Sequence, residues 1–254
     1  MAWIRTYDGT EPMRVNKWLA QAGVCSRREA EELITAGAVM IDGERVSDAG
    51  RKIAPGQTLT LNERAELGLG AQVSVVINKP PGVVSAQPEH GQIPAARLLT
   101  AEAQVGKGIV PSSRASLPAL GRLDQDSRGL LLLSEDGVLA KAIIGPDSEI
   151  DKEYVVTVRG KVDRTKIQKL RHGLELDGRQ LRPAKVTLED MQVLRFVLTE
   201  GRNRQIRRMC ELVELEVADL VRVRIGPLRL GDLPEGKWRH LTGDEREALV
   251  KASA

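Results

Sequence analysis

Aromatic side chains make up only 2% of the 254 residues, with a single phenylalanine among them. A core drawn from this chain therefore rests on Leu, Val, Ile and Ala, and platforms for stacking a base or a sugar are few. Cysteine is almost absent. Cys25 and Cys210 have no CxxC spacing and no histidine nearby, which excludes a disulfide framework and reads as two buried free thiols in a reducing cytoplasm. The three histidines, His90, His172 and His240, are scattered and suggest no metal cluster. Long apolar runs are missing, and Arg5, Asp8, Glu11 and Arg14 interrupt the N-terminus, so neither a secretion signal nor a membrane span is expected. No internal repeat and no phosphate-cradling glycine loop is visible.

What is present is an ordinary globular balance, 41% hydrophobic and 29% charged. The length suits one sizeable domain, or a small one followed by a larger one. A net charge of +3 is compatible with an RNA partner without arguing for one.

Residues 1–12 read as a polar lead-in. Val15, Trp18, Leu19 and Ala22 then recur at helical spacing, and Gly23 can end that helix. Ser26-Arg27-Arg28-Glu29 is a capping box opening a second helix, whose apolar face is Ala30, Leu33 and Ile34. Val39 and Ile41 lead into Asp42-Gly43, a tight-hairpin signal, and Gln57–Leu61 suits a further strand. Arg27 and Arg28 fall in the first turn of a helix, where phosphate is well received, and Arg14 and Lys17 can join the same face. Acids nearly balance bases over Met13–Lys52, so an ordinary solvated surface explains the charges equally well. Residues 63–72 carry glycine without a clear period and read as a linker.

From residue 73 a β-branched run, Val73–Ile77, predicts a strand that ends at Asn78-Lys79-Pro80-Pro81-Gly82. Residues 86–120 are rich in Ala, Gly, Pro and Ser. Gly121–Gly137, GRLDQDSRGLLLLSEDG, follows as a polar loop feeding an apolar run. Composition alone allows either a surface turn or a loop entering a buried strand. Val138–Ile144 predicts a short helix, Tyr154, Val156 and Val158 share one face of a strand, and residues 163–172 form a helix. Val186–Leu188 and Val193–Leu198 suit antiparallel strands. In Gly201–Glu211, GRNRQIRRMCE, the residues Ile206, Met209, Cys210 and Val213 share one helix face, and Arg204, Arg207 and Arg208 share another. A basic exposed helix face and an ordinary strand tyrosine are the plain readings of these two stretches.

Taken as whole strings, these segments are more specific. GRLD followed by a serine, G-L-L-L-L and D-G resembles the active-site motif of the RsuA/RluB/RluF group of ribosomal RNA pseudouridine synthases. KP-x-G after the first strand, K-x-Y-x-V at Lys152–Val156 and G-x-N-R-Q-I-R-R-M at Gly201–Met209 resemble further motifs of that family, in the same order. RVNKWLAQAGVCSRREAEELITAGAVMIDGERV resembles the RNA-binding domain named after small-subunit ribosomal protein S-four. The stretch Ala101–Pro118 is longer than the family spacing before GRLD, which puts substrate contacts there in doubt and suggests a mobile loop.

The resemblance implies an α+β architecture: an S-four-like RNA-binding domain over 13–62, a linker over 63–72, and a catalytic domain with a central, mainly antiparallel sheet over 73–243. Residues 244–254 would form a short helical tail. It implies isomerisation of a uridine in ribosomal RNA, with no cofactor, no metal and no membrane partner, by a cytoplasmic monomer. Asp124 would be the essential carboxylate, Arg207 its guanidinium partner, and Tyr154 the ring against the base. Arg122 would hold the gap left by the extruded uridine. Lys79, Lys152, Asn203, Arg204, Gln205 and Arg208 would complete substrate binding, with Arg14, Lys17, Arg27 and Arg28 gripping RNA from the small domain. GRLDQDS and NRQIRRMCE stand nearer to the RluF members than to the RsuA members, which favours large-subunit RNA. A fold-retaining RNA-binding protein without catalysis, or a synthase for small-subunit RNA or tRNA, are the competing expectations. A deaminase would need a zinc cluster that the chain does not offer.

Overall fold

A computed structural model describes residues 3–112 and 117–253. The chain forms two compact units, Met1–Val73 with Ser134–Lys141, and Ser74–Leu133 with Ala142–Ala254.

In the first unit, β1 (Ile4–Thr6) precedes the helices α1 (Val15–Gln21) and α2 (Arg27–Thr35). The strands β2 (Val39–Ile41), β3 (Glu44–Arg45) and β4 (Thr58–Leu61) follow, then α3 (Glu63–Gly70). The sheet order is β1-β4-β2-β3, antiparallel throughout. α2 starts where the sequence predicts, because Ser26 and Glu29 cap each other: the Glu29 amide donates to the Ser26 hydroxyl at 3.2 Å and the Ser26 amide to Glu29 Oε2 at 2.6 Å. Asp42 and Gly43 both have positive φ, 49° and 83°, which a two-residue hairpin of this hand requires. Val15, Trp18, Leu19, Ala30, Ile34, Val39, Ile41, Leu59 and Leu61 form the core.

Two stretches differ from the sequence reading. The lead-in is not merely polar: β1 pairs with β4, Tyr7 is buried with its hydroxyl donating to the Glu11 carbonyl at 2.7 Å, and Trp3 and Tyr7 meet Trp18 edge-on at 6.0 and 5.4 Å. Three of the chain's few aromatics are thus concentrated in one small core. Most of residues 63–72 is helical rather than irregular. Asn62 caps α3 through the Ala65 amide, and Glu63 and Glu66 suit the positive end of the helix. Only Ala65 of α3 is buried and Leu67 is exposed, so no apolar stripe marks this helix in the sequence.

The second unit is built on an eight-stranded sheet. Its strands are β5 (Ser74–Lys79), β6 (Arg128–Ser134), β7 (Lys152–Arg159), β8 (Lys185–Asp190), β9 (Val193–Leu198), β10 (Glu216–Ile225), β11 (Leu228–Arg229) and β12 (Trp238–His240). The order is β8-β9-β7-β10-β6-β5-β12, with β11 on β10. The pairs β8/β9, β9/β7, β7/β10 and β12/β5 are antiparallel, and β6 runs parallel to β10. Among the described residues, four α-helices follow β5 in the chain: α4 (Gly137–Ile144), α5 (Arg164–Arg171), α6 (Gln205–Leu212) and α7 (Gly243–Lys251).

The buried face expected of α6 is present: Ile206, Met209, Cys210 and Val213 pack into a core with Val156, Val158, Phe196 and Leu198. Both cysteines are buried free thiols, and burial pushes each up to about 12. The first part of the long stretch before GRLD is pinned to β12, since the Trp238 ring nitrogen donates to the Thr100 carbonyl at 2.8 Å and Val105 N to the Trp238 carbonyl at 2.8 Å. Residues 113–116 of that expected mobile loop lie outside the described residues.

One glycine is needed at the centre of the sheet. Gly129 pairs with Arg222 across β6 and β10 at φ +102°, and a Cβ there would meet the Arg222 carbonyl oxygen at 2.4 Å. Gly129→Ala should therefore cost roughly 2–4 kcal/mol in chemical denaturation, through contact and backbone strain together. A loss under about 1 kcal/mol would show that the two strands part without penalty.

Candidate active site

The polar loop between Gly121 and Ser127 is held by buried groups on two sides. Arg222 projects from β10 on the same face as the buried Leu220 and is 1% exposed. Its guanidinium donates to the carbonyls of Leu130 (2.7 Å), Gly121 (2.9 Å) and Arg122 (3.3 Å). From the other side, the Ser85 hydroxyl donates to the Leu123 carbonyl at 2.7 Å and accepts from the Leu123 amide at 2.8 Å. Gly82 N donates to the Gln125 carbonyl at 2.8 Å, and the Gln125 side chain returns to the Gly82 carbonyl at 3.1 Å. The loop then closes on itself, with Ser127 N donating to the Asp124 carbonyl at 3.1 Å.

This loop forms one wall of a cavity of about 620 Å³ lying within the second unit. Asp124, Arg122, Lys152, Tyr154, Asn203, Arg204, Gln205 and Arg207 all line it, so the three separate stretches picked out in the sequence converge. The Asp124 side chain is 32% exposed, and among the described residues neither of its oxygens accepts a hydrogen bond. Tyr154 is partly buried on β7, packed against the main core. Arg122 is exposed, its side chain free of ion pairs among the described residues and its carbonyl on Arg222. Asn203 is exposed in the turn before α6.

The expected pairing of Arg207 with Asp124 is not present. Arg207 Nη2 donates to the Asp126 carbonyl at 2.9 Å and to the Ser127 hydroxyl at 3.4 Å, and Nε lies 3.3 Å from Asp126 Oδ2. The cation beside Asp124 is Arg204, whose Nη1 stands 3.8 Å from Asp124 Oδ2. Arg204 itself forks onto Asp126, at 3.1 and 2.9 Å. Partial burial of Asp126 works against its charge, but the hydrogen bond from Arg204 and the charges of Arg207 and Arg204 outweigh it and hold the carboxyl below the usual range. Arg204 precedes the helix in a left-handed conformation, φ 48° and ψ 33°, so the helical projection that grouped it with Arg207 and Arg208 does not apply to it.

Three other candidates differ from expectation. Lys79 is fully buried and absent from the cavity. Its ammonium donates to the carbonyls of Pro80 (2.9 Å) and Val83 (2.7 Å), holding the turn rather than a ligand. Gln205 reaches the cavity wall, but its amide is engaged, accepting from Arg202 N at 2.9 Å and donating to Glu200 at 3.0 Å. Arg208 does not line the cavity and forks onto Asp177 at 2.7 and 2.9 Å. In the first unit, Arg14, Lys17, Arg27 and Arg28 are all exposed, and none makes an ion pair among the described residues. Sequence reasoning missed Arg222, Ser85 and Asp126. For Arg222 a signal existed, an arginine in register with Leu220 on the buried face of a strand.

Comparison with known proteins adds to this geometry. Residues 73–212 match the family described as RNA pseudouridylate synthase, and residues 13–59 match the S4 domain. The chain is similar to the dual-specificity RNA pseudouridine synthase RluF of Escherichia coli (strain K12), 36% identical over 241 residues, covering 94% of this chain and 79% of that protein. It is 35% identical over 250 residues to the ribosomal large subunit pseudouridine synthase B of Bacillus subtilis (strain 168), covering 93% and 95% respectively. A crystal structure of a pseudouridylate synthase superimposes with a TM-score of 0.64 at 27% identity, covering 93% of this chain and 99% of that one.

Two lysines beside the loop set a pH dependence. Burial lowers Lys79 to about 8, against the attraction of Asp126 and Asp124. Burial, then the charge of Arg222, lowers Lys152 to about 8. Between there and the ordinary value of 10.5 the unfolded chain holds protons that the folded chain has released, so stability should rise with pH across that window. Urea midpoints taken at several pH values should rise less steeply in Lys79→Met and Lys152→Met than in the wild type. Equal slopes would mean both ammonium groups stay charged when buried.

Proposed function

The chain belongs to the RNA pseudouridylate synthase family, with an S4 domain ahead of the catalytic domain, and on that premise we propose that it isomerises a uridine of ribosomal RNA in the cavity around Asp124. The observation that carries the assignment is the state of Asp124: a carboxylate on the cavity wall, on a loop held from both sides, whose oxygens accept no hydrogen bond among the described residues.

The isomerisation breaks the bond between the sugar's C1′ and N1 of the base and forms one between C1′ and C5. N1 gains a proton and C5 loses one, so nothing is oxidised and no group enters or leaves. A carboxylate at the sugar serves this in two ways, by attacking C1′ or by removing a sugar proton to give a glycal. Asp124 takes that role. Both routes need a lone pair directed at the sugar, and an ionised carboxylate has several to offer. Arg204 at 3.8 Å supplies positive charge without taking those oxygens. Tyr154 offers its ring to the base, and Arg122, exposed at the cavity, fills the place of the extruded uridine at a cost of a few kcal/mol of lost stacking. Arg207 steadies the loop through the Asp126 carbonyl and Ser127.

Large-subunit ribosomal RNA is the favoured target, on the likeness to the Bacillus subtilis enzyme. The dual-specificity name of the Escherichia coli relative supports a second RNA substrate as the alternative. Pseudouridine mapping in both ribosomal RNAs and in tRNA from a strain lacking the gene tests both, and an unchanged map would count against the assignment.

Asp124→Asn should abolish tritium release from C5-labelled uridine in RNA while leaving RNA affinity nearly intact. Activity within about tenfold of wild type would rule Asp124 out as the essential carboxylate. The S4 domain is assigned the grip on RNA through Arg14, Lys17, Arg27 and Arg28. Replacing all four by Ala should weaken binding and flatten its salt dependence, each lost phosphate contact lowering the log–log slope by about 0.7–0.9. A slope equal to that of the wild type would mean that this face is only solvated.

A further inference from the structure

We propose that the segment Lys161–Arg182, which carries α5 and the hairpin after it, is a phosphate-binding surface for the stretch of ribosomal RNA that flanks the target uridine. The inference rests on the reading of the cavity as the place of isomerisation. The segment holds seven lysines and arginines against three acids, while the rest of the chain holds 31 against 32. The positive surplus of the whole protein therefore lies in these 22 residues.

Local pairings leave that surplus open. Asp163 is used in capping α5, accepting from Lys166 N at 2.9 Å, and Asp177 is held in the fork of Arg208 at 2.7 and 2.9 Å. Of the bases, Lys166 reaches the Glu214 carbonyl at 3.2 Å and its carboxylate at 3.7 Å, Arg171 Nε donates to the Val186 carbonyl at 2.8 Å, and Arg182 meets Glu149 at 3.4 Å. Lys161, Arg164, Lys169 and Arg179 are exposed and make no ion pair among the described residues. Ile167 and Leu170 pack into the core, which turns Arg164 and Lys169 to solvent. The charge also runs against the helix that carries it. Arg164 and Lys166 stand in the first turn of α5, at its positive end, with no acid there. A departure from a local stability rule is expected where a surface serves binding.

The surface is continuous with the cavity. Arg182 and Arg202 both line it. Arg202 donates to the carbonyls of Leu176, Arg179 and Gln180 at 3.1, 3.2 and 2.9 Å, which ties the hairpin of Glu175–Leu176 and Arg179–Gln180 to the cavity wall. The Ala184 amide donates to the Arg171 carbonyl at 2.9 Å, so the chain after the hairpin closes back onto the end of α5. Positive charge thus extends from the cavity wall through Arg179 to Lys169 and Arg164. A uridine within an RNA chain cannot enter the cavity without bringing its neighbours to the rim. Their phosphates are the anions this charge fits, as positioning contacts that carry no sequence information.

The test is the salt dependence of kcat/KM, read as tritium release from C5-labelled ribosomal RNA of a strain lacking the gene. One variant combines Lys161→Gln, Arg164→Gln, Lys169→Gln and Arg179→Gln. A control combines Arg97→Gln, Lys107→Gln, Arg229→Gln and Lys251→Gln, four exposed bases outside the segment, so both lose the same charge. The first variant should flatten the log–log slope by at least about 0.7 more than the control, the worth of one phosphate contact, with its rate recovered at saturating RNA. A smaller difference would overturn the proposal, and is the result expected if the surface served an acidic protein instead. Should the fourfold variant fail to fold, Lys169→Gln with Arg179→Gln, set against Arg97→Gln with Arg229→Gln, is judged by the same difference. A wild type that released no tritium would strike the reading of the reaction first. An active wild type without the difference in slope strikes this surface alone.

Discussion

A single buried guanidinium holds the candidate site together. Arg222 lies inside the sheet and spends its donors on the carbonyls of Leu130, Gly121 and Arg122. Burying a charge is unfavourable unless it is hydrogen-bonded, and the three carbonyls on two segments are in reach only when β6 and the loop before it sit correctly. The same residue's backbone lies against Gly129, so one position of β10 fixes both the start of the apolar strand and the turn carrying Asp124. Ser85 and the Gly82–Gln125 exchange secure the opposite side of that turn. The backbone contacts of this turn do not draw on the Asp124 carboxylate for support.

Charge in the cavity is distributed with a corresponding economy. Glu200, the other carboxylate on the wall, is occupied by Gln205 and the Arg182 amide. Asp126 is committed to Arg204 and Arg207. Asp124 alone is left without hydrogen bonds among the described residues. Lys152, lowered to about 8 by burial and by Arg222 against the attraction of Asp151, donates to the carbonyls of Ile143 and Ile150 and makes no ion pair among the described residues, so positive charge lies at the cavity wall. An RNA backbone brings the missing negative charge, and this asymmetry favours a polyanionic substrate over a neutral one.

Much of this molecule was legible in the residues. The capping box at Ser26, the Asp42-Gly43 hairpin, the apolar face of α6 and the strands β5, β7, β8 and β9 follow from local rules of capping, turn chemistry and periodicity, which depend on neighbours a few residues apart. The lead-in and α3 escaped those rules. The lead-in joins its core through a strand of only three residues and two aromatics, and α3 buries too little to carry a stripe. The convergence of GRLD, K-x-Y and NRQIRR on one cavity was likewise expected, from the resemblance of the ordered motifs rather than from spacing.

The pairings inside that cavity were decided elsewhere. A helical projection treats Arg204, Arg207 and Arg208 as one face. The chain turns left-handed at Arg204, so these three arginines do not share one partner: Arg204 and Arg207 meet Asp126, with Asp124 beside Arg204, and Arg208 meets Asp177. Lys79 looked like a ligand and is a buried brace, while Arg222, which no motif marked, anchors the candidate loop. Sequence alone determined which residue types were available and which local elements they would form, because those depend on short-range sterics and hydrogen bonds. Only the tertiary structure decided which charge meets which, because an ion pair depends on ångström distances between segments far apart in the chain, such as Arg204 and Asp126, and no periodicity encodes those.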